Sequence, residues 1–202
     1  MAGSEYPDVG SVLYFPQYNV YSNVVGTTVT TGIPGAVGAY YGEVTFVVWF
    51  YEPPGGMGVL IGDDDMPLPY GFTGTYTYGL IICQNGYLYY WENNGPSVRS
   101  TAPISTGWHM AVAEEIVNST GGTVSLYLDG VYQGTSSYYP GYFIGMAVGG
   151  SSPGYWYIGG NNIWGGPCSG VGTTYVNGTI AYVAIYNTIL NSTQVQELYQ
   201  AG

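Results

Sequence analysis

The segment spanning residues 107–135 constrains the fold most, because two runs of alternating side chains flank a cluster of turn-forming residues. The first run, WHMAVAEEIV, has the period of two that is typical of a β-strand. Residues 118–122 are rich in turn formers, and the alternation resumes in TVSLYLDGVYQG. Asp129 and Gly130 suit a type I′ turn, in which both central residues need a positive φ. The segment therefore predicts three consecutive antiparallel strands.

Other parts of the chain carry the same kind of pattern. Residues 44–51 are almost continuously apolar, as expected of a central strand that is buried on both faces. Residues 78–95 predict a second hairpin whose turn contains Asn85 and Gly86. Residues 11–30 alternate weakly and predict two strands around a turn near residue 18. With 34 glycines and 12 prolines between such runs, the composition indicates an all-β protein.

Only the C-terminal residues show helical spacing. Asn191 and Gln194 are an N-cap residue and a partner for it three positions later, as in a capping box. Leu190 and Val195 have the spacing of a hydrophobic staple. The predicted buried face of this short helix consists of Val195, Leu198 and Tyr199.

The Trp108–His109 pair, the hairpin that follows it and the LYLDGVYQG run resemble the laminin-G-like and concanavalin A-like jelly-roll domains. Residues 42–53, 156–162 and 177–200 resemble further segments of that family and occur in its order. The resemblance implies an antiparallel two-sheet jelly-roll sandwich with one short C-terminal helix, in which the first strand lies beside the last. The length suits a single domain over residues 1–202, whose first ten residues we expect to be a cloning remnant or a flexible N-terminus.

The charged residues exclude several classes of partner. The chain has one Arg (Arg99), one His (His109), no Lys and 12 acidic residues. Phosphate recognition needs clustered Lys and Arg, so nucleic acid is excluded, and a polybasic membrane contact is excluded for the same reason. No apolar run approaches the roughly 18 residues of a membrane-spanning helix, so membrane insertion is not predicted.

The scarcity of charge also has a consequence in acid. At about pH 2–3 most carboxyl groups are protonated, and Arg99, His109 and the amino terminus leave a net charge of about +3. An ordinary domain has about 25% charged residues and would carry a far larger, self-repelling positive charge there. We therefore predict an extracellular protein from a hot, acidic habitat. The alternative is an acidic secreted domain without that adaptation.

The cysteines and the glycosylation sequons favour the same setting. Cys83 and Cys168 are the only cysteines, and an even count in a chain that looks secreted indicates a disulfide. Two unpaired buried thiols are the alternative. Sequons occur at Asn118, Asn177 and Asn191, although one or two would arise by chance in a chain so rich in Asn and Thr.

Asp63, Asp64 and Asp65 form the only cluster of carboxylates in the sequence. An oxygen-rich loop of this kind suits Ca²⁺, which takes about six to eight oxygen ligands. Members of the resembled family often carry calcium, but this run matches none of their motifs. Ala181 also stands near a position where the family typically has an acidic residue. A calcium site at the Asp run is one hypothesis, and a solvated turn is the other.

Residues 138–172 are rich in glycine and aromatic residues. A long aromatic loop is either a self-packed cover over a sheet or a binding surface. Flat rings can meet the C–H faces of sugars, while amides bond the sugar hydroxyls. We predict three stacking rings and two hydrogen-bonding amides in this segment: Tyr139, Tyr155 and Trp164, with Asn161 and Asn162.

The sequence lacks the patterns of hydrolytic catalysis. Glycoside hydrolases that share the resembled fold carry the pattern Glu-x-Asp-x-x-Glu on one strand, and this chain does not. Glu114 and Glu115 are strand neighbours and should point to opposite faces, whereas glycoside hydrolysis needs a facing pair. His109 has no Gly-x-Ser-x-Gly elbow beside it, and we predict that its role is structural.

These observations favour a non-catalytic, extracellular carbohydrate-binding or adhesion module whose partner is a glycan or a glycosylated surface. The alternative is a structural surface protein with the same fold that self-associates, as in a filament, a surface layer or a viral capsid. A glycoside hydrolase is the least favoured class. Each reading places the protein outside the cell, on a cell surface or on a virion.

Overall fold

The computed structural model describes residues 13–15, 22–25, 42–64, 78–92, 97–118, 121–138, 155–162, 167–168, 173–186 and 188–202. Regular structure in these residues is almost entirely strand, with one helix at the C-terminus. The elements in chain order are β1 (Leu13–Phe15), β2 (Ser22–Val25), β3 (Gly42–Glu52), β4 (Gly58–Asp64), β5 (Tyr78–Ile82), β6 (Leu88–Glu92), β7 (Ser97–Arg99), β8 (Gly107–Asn118), β9 (Gly121–Leu128), β10 (Val131–Tyr138), β11 (Tyr155–Ile158), β12 (Gly160–Asn162), β13 (Thr173–Tyr175), β14 (Gly178–Tyr186) and α1 (Ser192–Ala201).

Two antiparallel sheets form the body of the protein. Sheet I has the strand order β1-β14-β3-β8-β9-β10, and sheet II has the order β2-β11-β4-β5-β6-β7. β12 and β13 form a small ladder of their own. Every strand pair among the described residues is antiparallel. The architecture confirms the predicted two-sheet jelly-roll sandwich with one short C-terminal helix.

The three strands predicted from residues 107–135 are β8, β9 and β10, which are neighbours in sheet I. Asp129 and Gly130 connect β9 to β10 with φ values of 53° and 75°, as a type I′ turn requires. A Cβ atom on Gly130 would lie 2.9 Å from the side-chain oxygen of Gln196, so the turn also packs against α1. The turn therefore both reverses the chain and holds the helix.

The two strands predicted from residues 11–30 are β1 and β2. β1 pairs with β14 in sheet I, which confirms that the first strand lies beside the last. β2 pairs with β11 in sheet II, so β1 and β2 belong to different sheets. Their weak alternation carries no information about which sheet each strand joins, and long-range pairing decides it.

β3 is buried on both faces, as its apolar sequence predicts. Phe46 and Phe50, each 1% exposed, pack with Leu80 of sheet II in the core between the sheets. Val47 lies on the other face, where α1 covers sheet I and Val195 is fully buried. Replacing Phe46 by Ala should destabilise the fold by about 3–5 kcal/mol, because it would leave a large cavity between the sheets.

α1 begins with the predicted capping box. The side chain of Asn191 accepts a hydrogen bond from the Gln194 backbone N–H at 3.0 Å, and Gln194 Oε1 accepts one from the Asn191 N–H at 2.9 Å. Leu190 and Val195 are buried, as the staple predicts. The Tyr199 ring stacks on Trp49 with centroids 5.8 Å apart, which fixes the helix on the outer face of sheet I.

Cys83 and Cys168 form the predicted disulfide, with their Cα atoms 5.0 Å apart. The bond lies on the outer face of sheet II, in a buried cluster that contains Ile81 and Trp91. It therefore ties residue 168 to that face. Because the cysteines are 85 positions apart, the bond could stabilise the fold by up to about 4 kcal/mol through loop closure.

Candidate functional site

Two groups of predicted binding residues come together where β4 and β11 pair in sheet II. The Cα partner of Asp64 is Tyr155, and the Cα partner of Asp63 is Trp156. The Asp run and the aromatic segment are far apart in the sequence, but the sheet makes them cross-strand neighbours. The backbone therefore assembles an acidic and an aromatic segment in one place.

The predicted amide residues lie on the next strand along the chain. Asn161 and Asn162 are in β12, opposite Thr174 and Thr173 of β13. Gly159, which joins β11 to β12, donates its N–H to the Leu60 carbonyl at 3.1 Å, and its own carbonyl accepts from the Val176 N–H at 2.9 Å. These bonds tie the small β12–β13 ladder to β4, so the backbones of all three segments converge.

The structure corrects the expectation that these residues lie in loops, since Tyr155 is in β11 and Asn161 and Asn162 are in β12. Asp63 and Asp64 lie in strand β4 and not in a loop or turn. Asp has a low strand propensity, but pairing with β5 on one side and β11 on the other overrides it. Tyr139, Trp164 and Asp65 lie outside the described residues, so stacking and hydrogen bonding by the predicted residues stay predictions.

A calcium site also stays a prediction. In the part of the chain that the structure describes, no group of three or more His, Cys, Asp or Glu residues is placed to hold a metal ion. Calcium would need several oxygen ligands besides Asp63 and Asp64.

The three sequon asparagines lie in different parts of the fold. Asn118 is the last residue of β8, and Asn177 is half-buried. Asn191 is exposed at the start of α1, where its side-chain oxygen caps the helix. Glycosylation at these positions stays a prediction.

His109 is held from both sides at the start of β8. Its Nδ1 lies 2.7 Å from Asp129 Oδ2, and its Nε2 lies 2.8 Å from the Ser105 carbonyl oxygen. Asp129 Oδ1 in turn accepts the Met110 backbone N–H at 2.9 Å. Burial alone would lower the pKa of His109, but the bonds to Asp129 and Ser105 and the charges of Asp129 and Glu52 raise it overall.

The partners of the His109 ring bear on its predicted structural role, which stays a prediction. The Ser105 hydroxyl is 3.4 Å from His109 Nε2, but that nitrogen directs its proton to the Ser105 carbonyl. Because both ring nitrogens face acceptors, the ring is a donor on both sides. The Ser105 carbonyl lies closer to His109 Nε2 than the Ser105 hydroxyl does, so this arrangement favours a structural role for the ring.

Glu52 is a buried carboxyl that no pattern in the sequence marks. It follows Val48 and Phe50 on the face of β3 that looks into the core, and it is 5% exposed. Burial raises its pKa to about 7, with the charge of His109 acting in the opposite direction. A Cβ atom on Gly56 would lie 2.5 Å from Glu52 Oε1, so the turn after β3 closes over the carboxyl.

Glu114 and Glu115 point to opposite faces of sheet I, as predicted. Glu115 faces the core, where its Oε2 accepts a hydrogen bond from the Tyr90 hydroxyl of sheet II at 3.0 Å. Glu114 is on the outer face and is hydrogen-bonded to Tyr127. Burial raises the pKa of Glu114 to about 7 and that of Glu115 to about 8. The two carboxyls cannot act on one sugar, because the sheet separates them.

Comparison with known proteins assigns the family. The family model Laminin_G_3, described as the concanavalin A-like lectin/glucanases superfamily, matches residues 20–196. The chain belongs to this superfamily. No curated protein sequence matches the chain. The Trp108–His109 and LYLDG segments of this concanavalin A-like domain are the ones that the His109–Asp129 bond joins.

Three solved structures share the fold of this concanavalin A-like domain. The CBM40 of a Ruminococcus gnavus IT-sialidase, bound to α2,3-sialyllactose, has a TM-score of 0.57 and 10% identity, over 95% of this chain and 99% of that one. A heptameric SAP-like pentraxin from Limulus polyphemus has a TM-score of 0.53 and 13% identity, over 93% and 80% of the two chains. A Trypanosoma rangeli sialidase has a TM-score of 0.50 and 22% identity, over 78% of this chain.

These similarities show the fold alone, because the identities are low. The match spans 22% of the length of the sialidase chain.

Within the described residues, no helix of this concanavalin A-like domain is long and apolar enough to span a membrane.

Proposed function

We propose that this concanavalin A-like domain is a non-catalytic carbohydrate-binding or adhesion module that acts outside the cell. The observation that carries the proposal is the pairing of β4 with β11, which sets Asp64 opposite Tyr155 in sheet II. With β12 attached through Gly159, carboxylates, aromatic residues and amides are gathered on adjoining backbone segments. Those are the groups that meet sugar C–H faces and hydroxyls. The fold that the chain shares with a carbohydrate-binding module supports the same function.

The buried acidic residues support a binding role without hydrolysis. Glu114 and Glu115 are on opposite faces of sheet I, and both ring nitrogens of His109 are engaged. None of these side chains can form the pair of facing carboxyls that a glycosidase uses. The expected activity is therefore ligand binding alone.

An extracellular, acidic setting is part of the proposal. The disulfide suits an oxidising compartment. Burial raises the pKa values of Glu52 and Glu114 to about 7 and that of Glu115 to about 8, so all three are neutral in mild acid. Because these buried carboxyls already hold their protons, the folded protein should lose little stability when the medium becomes acidic.

Glycan binding tests this function directly. The wild-type protein would be screened on a glycan array and by affinity electrophoresis against glucans, mannans and sialylated glycans. The Tyr155→Ala and Trp164→Ala variants test the site, and each should weaken binding by about 1–3 kcal/mol if its ring is a central anchor. Val131→Ala is the control, because Val131 is 59% exposed and belongs to the other sheet.

The outcomes separate the function from the site. Glycan binding that survives both aromatic truncations would remove this site and keep the function. An absence of binding to any glycan, together with a mass that grows with protein concentration, would favour the self-associating surface protein.

A further inference from the structure

The outer face of sheet I is divided into two halves of different chemistry. One half is apolar and lies under α1, where Val47, Met110 and Val112 are buried. The other half extends over β9 to the edge strand β10 and presents hydroxyl side chains. Because α1 already covers the apolar half, the polar half is the part of this face that a ligand can reach.

Strand register assembles the hydroxyls into a compact patch. Thr135 is the cross-strand partner of Ser125, and Ser137 is the partner of Thr123. The Ser125 and Thr135 hydroxyls are 2.8 Å apart, so they point to the same face. Residues two apart on a strand are about 7 Å from each other, and neighbouring strands are about 5 Å apart. The four hydroxyls therefore outline an area close to that of one sugar ring.

Two partly exposed apolar side chains flank this hydroxyl patch. Ile116 of β8 is the cross-strand partner of Thr123 and is 36% exposed. Tyr132 is 53% exposed and lies beyond Thr135 along β10. Its ring packs edge-on against Tyr127, and its hydroxyl bonds to Thr135 Oγ1. These contacts fix the orientation of an exposed ring, which lowers the entropy lost when a ligand stacks on it.

The hydroxyls keep unused hydrogen-bonding capacity. Tyr132, Thr135 and Ser125 are bonded in a row, with two hydrogen bonds among three hydroxyls. Each hydroxyl has one donor and two acceptor positions, so the row can still donate and accept. Glu114 lies directly across from Ser125, is 6% exposed, and its Oε1 has no partner among the described residues.

The charges around the patch decide which ligand it suits. Glu114 adjoins it, and the exposed Glu43 is the cross-strand partner of Ile116. The sole Arg of the chain, Arg99, is in sheet II and lies over the Tyr87 ring, 4.7 Å from its centroid. An acidic sugar would meet the exposed carboxyl of Glu43 here, and the sole Arg is engaged with the Tyr87 ring. A neutral sugar would meet hydroxyls and a tyrosine ring.

We propose that the hydroxyl patch of Thr123, Ser125, Thr135 and Ser137, with Ile116 and Tyr132 at its sides, is a second binding site, specific for a neutral sugar ring. It rests on the proposed function in that both sites take glycans, but it lies on the opposite sheet from β4 and β11. The neutral sugar expected at this patch differs from the sialylated sugar that is bound in the CBM40 structure.

The test compares variants on the two sheets with neutral and acidic ligands. Binding of wild type, Tyr132→Ala, Thr135→Val and Tyr155→Ala to soluble β-glucan, mannan and sialyllactose would be measured by affinity electrophoresis and calorimetry. Tyr132→Ala and Thr135→Val should each weaken neutral-glycan binding about tenfold or more, and sialyllactose should not bind at the patch. Val131→Ala, an equally exposed change on β10, should leave binding unchanged. Thermal unfolding of each variant checks that the fold is intact.

The possible results point in different directions. Neutral-glycan binding that is lost in Tyr155→Ala and unchanged in both β10 variants would overturn this site and leave the proposed function standing. Loss of neutral-glycan binding in the β10 variants, with that binding intact in Tyr155→Ala, would support the patch as the neutral-sugar site. Preferential binding of sialyllactose that depends on Tyr132 would overturn the ligand class. An absence of any glycan binding would overturn both proposals.

Discussion

The two ends of β8 bury ionisable side chains in opposite ways. Near the start, His109 has an acceptor for each ring nitrogen, Asp129 at 2.7 Å and the Ser105 carbonyl at 2.8 Å. Near the end, Glu114 and Glu115 each have one oxygen without a partner among the described residues. Burial lowers the pKa of His109, yet its partners raise it overall, whereas burial dominates for both glutamates and raises their pKa values.

The comparison shows that partners, and not burial alone, decide whether a buried group keeps its charge. A charged form survives where every polar atom is paired, and it is lost where the low-dielectric surroundings leave one atom unpaired. One strand thus holds a cation at one end and neutral carboxyls at the other in mild acid.

The largest expected effect is on the pH dependence of stability. Glu52 and Glu114 have pKa values near 7 and Glu115 near 8 in the fold, against an ordinary value of 4.5. Between these values the folded protein holds protons that the unfolded chain has released, so stability falls as pH rises from about 4.5 to 8. The raised pKa of His109 acts in the same direction, since its contribution is present at low pH and is lost as pH rises.

Urea unfolding at pH 4.5 and pH 8.5 measures this effect. The free energy of unfolding should be larger at pH 4.5 by about 3 kcal/mol or more. A protein that is more stable at pH 8.5 would contradict the neutral state of the buried carboxyls and the acidic habitat with it.

The Glu115→Gln variant tests whether Glu115 is protonated in the fold. Gln cannot ionise and has nearly the shape of the protonated carboxyl, so the variant should match wild type at pH 4.5. At pH 8.5 it should be more stable than wild type by about 3 kcal/mol. At that pH the Glu115 carboxyl is ionised in the unfolded chain, so folding of the wild type must either take up a proton or bury a negative charge, and both cost free energy. Denaturation at the two pH values checks this, with Glu43→Gln as the exposed control. An equal change in the free energy of unfolding at both pH values would show that the substitution acts through packing and not through ionisation.

The Asp129→Asn variant tests whether Asp129 keeps His109 charged in the fold. Asn tolerates the positive φ of this turn and can still accept the Met110 N–H, so the change mainly removes the charge beside His109. At pH 5 we expect a loss of about 2 kcal/mol, since a buried cation would lose its counter-charge. The loss should become smaller as the pH rises, because deprotonation of His109 removes the cation that Asp129 stabilises. NMR titration of the imidazole should show a lowered pKa, and an unchanged titration would contradict the assignment.

The smallest expected effect comes from Tyr127→Phe, which removes the hydrogen-bond donor of Glu114. The ring still packs on the outer face of sheet I, so the loss should be about 1 kcal/mol at neutral pH. The pKa of Glu114 should rise further, because that bond lowers it in the wild type. A carbon-detected titration of the Glu114 carboxyl would measure the change, and a fall in its pKa would refute the role of Tyr127.

Much of the fold follows from local sequence patterns. The alternation over residues 107–135 predicts β8, β9 and β10, and Asp129 with Gly130 predicts their connecting turn. The capping box at Asn191 predicts the start of α1. In each case the signal consists of neighbouring residues, such as a period of two or a turn that requires positive φ, and needs no distant partner.

The candidate sites were predictable only in part. The Asp run and the aromatic segment stand out in the sequence, but their meeting depends on the pairing of β4 with β11. The hydroxyl patch has no distinctive sequence, because Ser and Thr at alternate positions are typical of any exposed strand. The register of β10 with β9 places these hydroxyls side by side, and α1 covers the apolar half of the same face but leaves them exposed.

The sequence by itself determined the strands β3, β8, β9 and β10, where the central hairpin turns, how α1 is capped, and that Glu114 and Glu115 face opposite ways. Only the tertiary structure decided what each of those carboxyls meets: Glu115 faces Tyr90 across the core, and Glu114 lies beside Tyr127 on the outer face. It also decided that β1 and β2 join different sheets. The physical reason is that period and turn geometry are set by adjacent residues, whereas the surroundings of a strand depend on which distant strands pair with it and what packs on each face.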